Sequence, residues 1–455
     1  MPVSSSRTRL AAAAALLLLA TACAPATRPV APASTHAAPI DAALAVATFD
    51  SAWNAIRRTY YDSTFRGLDW NAVRTELRPR AAAARTVGEL RATLRSMLSR
   101  MGESHFALIP AEVFEATGDD EEGPDGGATP GDVGIEIRTV DRAALVWRID
   151  SAGPAYAAGV RTGWIIESVE DLSVGPAIAA AHALSGDRDR AEALRLLGNR
   201  LTGRLNGDSG SRAQAMFRDR HGNRVHVTMV RRRQPGSISR FGNLPPLHVM
   251  LSRSRIPSAP GCVGYARFNI WLPPINAPLD SAMQELADCR GMILDLRGNP
   301  GGMAGLSMGV AGYFIDSVVP LGILKTRGNE LRLVTNPRRV SLSGRAFRVY
   351  DRPLAILVDR QSVSTSEIFA GGMQYLKRAR VFGETTSGQA LPASLIRLPN
   401  DDVLMHVISD YTLPDGTRLE VRGVIPDQAE PVRRADLLAG RDAALLAAVQ
   451  WIQSR

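Results

Sequence analysis

The most constraining feature of this chain is an alternation that begins near Phe241 and runs to Arg455. Short apolar runs, Val263–Asn269, Gly291–Leu296, Leu354–Val358, Arg380–Phe382 and Val403–Ser409, are separated by longer segments, one of which, Ser366–Tyr375, has clear helical character. Strands joined through helices pair most simply in parallel, because a parallel pair needs a long crossover, and their two faces must both be covered. Residues 236–455 therefore read as an α/β domain. At 455 residues the chain is also long enough for further cores.

The pattern changes upstream. Between Pro39 and Pro110, Phe49, Trp53, Ile56 and Tyr60 recur at three- and four-residue spacing, as do Leu90, Leu94 and Leu98. This predicts a helical segment over 39–117, with Thr86 and Glu89 as a capping box. Residues 118–131 are acidic and rich in Gly and Pro, and read as a linker or mobile loop. From 132 to 235 short strands dominate: Val133–Ile137, Ala144–Arg148, Trp164–Val169 and Val225–Val230. A long polar insertion, roughly Ala177–Ser211, interrupts them.

The N-terminus carries an export signal. Arg7 and Arg9 precede the apolar run Ala11–Ala20, and small residues follow up to Cys23. The run is too short to span a bilayer and fits a cleaved leader over 1–23. Ala20-Thr21-Ala22-Cys23 resembles a bacterial lipobox, which would make Cys23 the lipidated N-terminus of a protein of the cell envelope, facing the periplasm from the outer membrane. A plain secretory signal would cut at the same small residues. Residues 24–38 would then be a Pro/Ala-rich tether. Export permits disulfides, and Cys262 and Cys289 each precede a strand-like run. If those strands pair in parallel, both thiols lie at one end of the sheet, as a disulfide or as two buried thiols.

Two constellations carry chemistry. In Asp295-Leu296-Arg297-Gly298-Asn299-Pro300-Gly301-Gly302 a buried strand ends in a Gly-rich turn, which can aim backbone N–H groups at an oxyanion. In Ser362-Val363-Ser364-Thr365-Ser366-Glu367 a serine stands where a strand passes into a helix, exposed beside orphan N–H groups. Alone, the second also fits an ordinary N-cap, and the first an ordinary turn.

Together and in this order they resemble the C-terminal processing (tail-specific) serine peptidases, which join a PDZ domain to an α/β domain of crotonase-like topology. The resemblance covers nearly all the chain after the tether. It implies Ser364 as nucleophile, with oxyanion-hole N–H groups from Thr365 and from Gly301 or Gly302. It also implies a PDZ-like domain at 132–235 in which Gly134 and Ile135 form a peptide-carboxylate loop. The best-known branch places a lysine base 25 residues after the serine; here that residue is Gln389, which cannot serve. A second branch, similar to the tricorn core protease, takes its base from a Ser-His pair in the helical segment and adds a distal Glu. Ser104-His105 and Glu420 occupy those places, Glu420 lying 56 residues after Ser364 in Leu419-Glu420-Val421-Arg422-Gly423-Val424-Ile425-Pro426-Asp427. His105 would then be the general base, oriented by Glu420 directly or through Ser104. His406 and Lys377 are the rival bases.

The function expected is a serine endopeptidase acting on polypeptides recognised by their C-termini, with the PDZ-like domain delivering or gating them; the rival is an inert PDZ scaffold. No cofactor is expected and no metal set, because the seven histidines lack ligand spacing. The net charge of +9 rests almost entirely on Arg, and its dispersal reads as a solvated surface rather than a nucleic-acid footprint.

Overall fold

The computed structural model describes residues 37–112, 129–240, 242–243 and 246–455. The leader, Cys23 and nearly all of the tether lie outside these residues, as does most of the acidic stretch 118–131. Among the described residues no helix is long and apolar enough to cross a membrane.

The alternating C-terminal region forms a six-stranded sheet. Its strands run in the order Leu251–Pro257, Cys262–Phe268, Met292–Asp295, Leu354–Val358, Arg380–Gly383 and Gln428–Ala429. The first pair is antiparallel and every later pair is parallel. Side chains alternate between two faces, as the period of a strand requires. Ala266, Leu294, Ile356 and Val381 join the large core with the helices Asn276–Glu285 and Thr365–Tyr375. Val263, Ile293, Ala355, Leu357 and Phe382 face the terminal helix Ala443–Gln453 instead. Cys262 and Cys289 form a disulfide at one end of this sheet, with Gly264 opposite Met292 in the parallel register the sequence suggested.

The helical segment consists of Ala42–Thr59, Trp70–Ala82 and Val87–Ser99. Asp41 and Asp69 cap the first two by accepting from backbone N–H groups. Thr86 accepts from Glu89 N–H, but the Glu89 carboxylate returns to Arg85 N–H rather than to Thr86, so the capping box is offset by one residue. Phe49, Trp53, Leu90 and Leu94 bury against the antiparallel hairpin Ala393–Arg397/Val403–Val407. The short strand Ala107–Ile109 pairs with that hairpin, Ala107 opposite Met405, which anchors the end of the helical segment on the C-terminal body.

The middle region is a sheet in the order Ile135–Val140, Ala143–Ile149, Ile165–Val169, Arg212–Arg218, Arg224–Val230. Two expectations change here. The end of the supposed linker is a strand, Pro130–Asp132, paired with Arg232–Arg233 and Gly207–Asp208. The polar insertion is two helices, Val174–His182 and Asp187–Leu205. The second buries Leu197, Leu201 and Leu205 on the sheet.

The arginines are not only a solvated surface. Arg91, Arg138, Arg231, Arg267 and Arg297 are buried. Arg231, from the basic run at 231–233, donates to the carbonyls of Arg204 and Leu205 and so closes the end of the helix Asp187–Leu205. Arg138 pairs with Asp359, Arg148 with Asp295 and Arg267 with Glu136, bolting the middle sheet to the carboxyl ends of the parallel strands. Burial opposes ionisation of Asp295, but Arg297, then Arg148 and Arg267, hold its carboxyl well below the usual range.

Candidate active site

Both chemistry-bearing turns leave the carboxyl ends of neighbouring parallel strands, where open α/β sheets place their sites. The strand Leu354–Val358 passes through Asp359–Val363 to Ser364, which opens the helix Thr365–Tyr375. Ser364 has φ +55° and ψ −118°, a strained conformation for an L-residue. Its N–H is held by the Gln389 carbonyl (2.9 Å) and by Glu367 Oε2 (3.1 Å). Glu367 Oε1 accepts from Thr386 Oγ1 and from Gly388 N–H, and Oε2 also from Gln389 N–H. Burial outweighs these donors and pushes the Glu367 carboxyl up to about 7.

The Gly-rich turn lies directly against the serine. A Cβ on Gly301 would stand 2.6 Å from Ser364 Cβ and 3.0 Å from Thr365 N. The two glycines differ in what they can donate. Gly301 N–H is taken by Asn299 Oδ1 at 3.0 Å. Gly302 bridges Trp271 through its neighbours, Gly301 O accepting from Trp271 N–H and Met303 N–H donating to Trp271 O. Successive N–H groups of an extended segment alternate in direction, so Gly302 N–H faces away from Trp271. Thr365 N–H belongs to the first turn of its helix and has no intrahelical acceptor. Thr365 Oγ1 donates to Gly302 O at 2.8 Å, clamping the two donors together.

The second half of the site comes from distant segments. Met101–Phe106 turns sharply, with Gly102 at φ +64° and His105 at φ +60°. Ser104 N–H donates to Glu420 Oε1 at 2.9 Å and Ser104 Oγ to Glu420 Oε2 at 2.9 Å. Ser104 Oγ is also 2.8 Å from His105 Nδ1. A hydroxyl has one proton and a carboxylate accepts only, so the Ser104 proton goes to Glu420 and His105 Nδ1 must donate. That leaves His105 Nε2 with its lone pair, the tautomer a general base requires. Burial, and then the charge of Arg195, lower the His105 pKa to about 4, with Glu192 acting in the opposite sense.

The turn 386–390 joins the halves. Gln389 N–H donates to Glu367 and the adjacent Ala390 N–H donates to Glu420. Among the described residues no hydrogen bond links Ser364 Oγ to His105. Glu192 and Arg195, which act on His105, belong to the helix Asp187–Leu205, and Glu192 accepts from Gln389 Nε2 at 3.4 Å, so that helix stands at the mouth of the site.

The rival bases are elsewhere. His406 is buried against the helix Ala42–Thr59, with Nδ1 3.2 Å from Thr59 Oγ1. Lys377 follows the far end of the helix that Ser364 opens, about 20 Å away along its axis at 1.5 Å per residue. Gly134, at φ +75°, immediately precedes the edge strand Ile135–Val140. The helix Asp187–Leu205 packs beside that edge. Sequence reasoning missed this helix. Its signal was Leu194, Leu197, Leu201 and Leu205 at three- and four-residue spacing within a charged segment.

Comparison with known proteins agrees with this layout. Residues 262–429 match the model of peptidase family S41. Those residues form a domain of that family. The chain is a serine-type peptidase, and its residues 47–99 match the tricorn protease C1 domain. The peptidase is 25% identical over 392 residues to carboxyl-terminal-processing peptidase 2, chloroplastic, of Arabidopsis thaliana, covering 84% of this chain and 68% of that protein. It is 24% identical over 395 residues to the carboxyl-terminal-processing protease of a Picosynechococcus species, covering 84% and 82%. Among solved structures the fold resembles the photosystem II D1 C-terminal processing protease, with TM-score 0.55 at 20% identity over 90% of this chain and 97% of that one. Mature CPAF gives TM-score 0.56 at 13% identity over 90% and 97%.

Proposed function

We propose that this peptidase is an endopeptidase of the cell envelope that cleaves polypeptides through an acyl-enzyme, using Ser364, His105 and Glu420. The observation that carries the reading is the chain of bonds from Glu420 through Ser104 to His105, which leaves Nε2 as the basic nitrogen. Ser364 Oγ attacks the scissile carbonyl carbon while its proton passes to His105 Nε2. The carbonyl oxygen becomes an oxyanion and is met by the N–H groups of Gly302 and Thr365. Collapse breaks the C–N bond, and the leaving amine takes the proton back from His105. Water then hydrolyses the ester by the same route in reverse order. Glu420, acting through Ser104, stabilises the imidazolium that forms twice in the cycle.

The domain of residues 132–235 is a PDZ-like module on a crotonase-like catalytic body. Beside the helix that packs on it, its edge strand would take up an extended polypeptide as an added strand, with the C-terminus recognised at Gly134 and Ile135. The position of Glu192 and Arg195 beside His105 supports gating by the same helix. The envelope location rests on the leader at 1–23 and on lipidation of Cys23.

The test is hydrolysis of casein and quenched peptides by protein lacking residues 1–23, beside Ser364→Ala and His105→Ala. Activity lost in both folded variants supports the reading. An inactive parent whose Ser364 a fluorophosphonate does not label would overturn it.

A further inference from the structure

The base and its carboxylate come from segments more than three hundred residues apart, so something must fix the distance between them. The Ser104–Glu420 bonds are one tie. A second lies one residue before Ser104 and two before Glu420. Glu103 is 4% exposed at its side chain and accepts from Arg418 Nη2 at 2.7 Å. Glu103 also accepts from Tyr60 OH at 2.6 Å, Tyr61 OH at 3.0 Å and Arg66 Nη1 at 2.6 Å. Arg418 donates further to Asp410 Oδ1 at 2.8 Å and to Tyr61 OH at 3.0 Å.

These contacts converge on one point. Tyr60 and Tyr61 end the helix Ala42–Thr59, Glu103 sits in the turn that carries His105, and Arg418 enters the arm that carries Glu420. Asp410 belongs to the strand Asp410–Thr412, which pairs with Pro320–Lys325 of the catalytic body. The arm bearing Glu420 is therefore held to the body at Asp410 and to the histidine turn at Glu103, both through one guanidinium. A planar fork suits this double role, which a lysine could not fill. Burial acts to raise the Glu103 pKa, but Tyr60 and Arg418 outweigh it and keep the carboxyl below its usual range.

We propose that Glu103 is a positioning residue: through Arg418 it sets the spacing of the histidine turn and the Glu420 arm, and so the geometry of the general base. The inference rests on the Ser/His/Glu reading above. It differs from a purely stabilising role because the pair spans the two segments that must meet for catalysis. Displacements of about 1 Å at such a site cost up to about a hundredfold in rate.

The experiment compares Glu103→Gln, Arg418→Gln and their double variant with the parent and with His105→Ala, by steady-state hydrolysis of one quenched peptide and by thermal melting. Leu77→Ala, which opens a cavity in the same helical core, calibrates what instability alone does. The expected result is kcat lower by about tenfold to a hundredfold in each single variant, with KM within about twofold. The double variant should be no slower than the slower single one, because one tie is broken in all three. Leu77→Ala should melt earlier at unchanged kcat per folded molecule. Parent-like kcat in folded Glu103→Gln, with His105→Ala inactive, would overturn the proposal and leave the Ser/His/Glu reading standing. Additive losses in the double variant would also overturn it. A His105→Ala protein as active as the parent would instead overturn the reading on which it rests.

Discussion

Ser104→Ala separates two ways in which Glu420 could serve His105. In the structure Ser104 Oγ bridges the carboxylate and the imidazole, 2.9 Å from one and 2.8 Å from the other. Removing that oxygen does not release Glu420, because Ser104 N–H and Ala390 N–H still hold it at 2.9 and 3.1 Å. The vacated space is about one atom in size, and Ser104 is buried, so no water takes the place of the hydroxyl. The imidazolium formed in each half-reaction then loses the charge-assisted hydrogen bond it donates to Ser104 Oγ, worth about 1.5–3 kcal/mol. At about 1.4 kcal/mol per factor of ten, kcat/KM should fall by about 10- to 150-fold, with melting close to the parent's. His105→Ala, which removes the base itself, should fall much further. The assay is kcat/KM on a quenched peptide, from pH 5 to 8, for parent and both variants. Ser104→Ala within about twofold of the parent throughout, beside an inactive His105→Ala, would refute a relay through Ser104.

Other perturbations follow from the same geometry. Gly301→Ala places a Cβ 2.6 Å from Ser364 Cβ at φ +96°, so activity should drop by about a hundredfold or more, as for loss of an oxyanion donor, which hydrolysis rates and fluorophosphonate labelling of Ser364 would report. His105 and Glu367 should give stability opposite pH slopes. The His105 pKa falls from 6.5 to about 4 on folding, so between those values the unfolded chain binds more protons and stability rises with pH. Glu367 rises from 4.5 to about 7, so its contribution falls as pH increases across that window. Each slope is about 1.4 kcal/mol per pH unit, so urea titrations from pH 4.5 to 6.5 should show stability falling with pH in His105→Ala and rising in Glu367→Gln, relative to the parent. Reduction of Cys262–Cys289 opens a loop with sequence separation 27, and should cost about 3.5 kcal/mol in urea unfolding with and without reductant.

Much of the site was legible because its parts are local. Ser104-His105, Ser364-Thr365 and Asn299-Pro300-Gly301-Gly302 each sit at a turn whose residue types announce the backbone they need. The parallel strands were legible from apolar runs buried on both faces. What escaped were choices made by tertiary contact. Only the fold-back of the Asn299 side chain decides that Gly302 rather than Gly301 is open to donate. The dispersed arginines gave no hint of their carboxylate partners, since Arg138 and Asp359 lie 221 positions apart. The helix Asp187–Leu205 hid because its apolar stripe is four leucines wide among charged neighbours, the burial coming from the sheet beneath it rather than from its own composition.

The separation of the functional groups along the chain has a consequence in time. Synthesis from the N-terminus delivers His105 first, Ser364 much later and Glu420 after both. The strand Ala107–Ile109 finds its partner only when Val403–Val407 has emerged, and Ser104 meets its carboxylate later still. On the Ser/His/Glu reading proposed above, a chain that stops short of Glu420 would hold Ser364 without an oriented base.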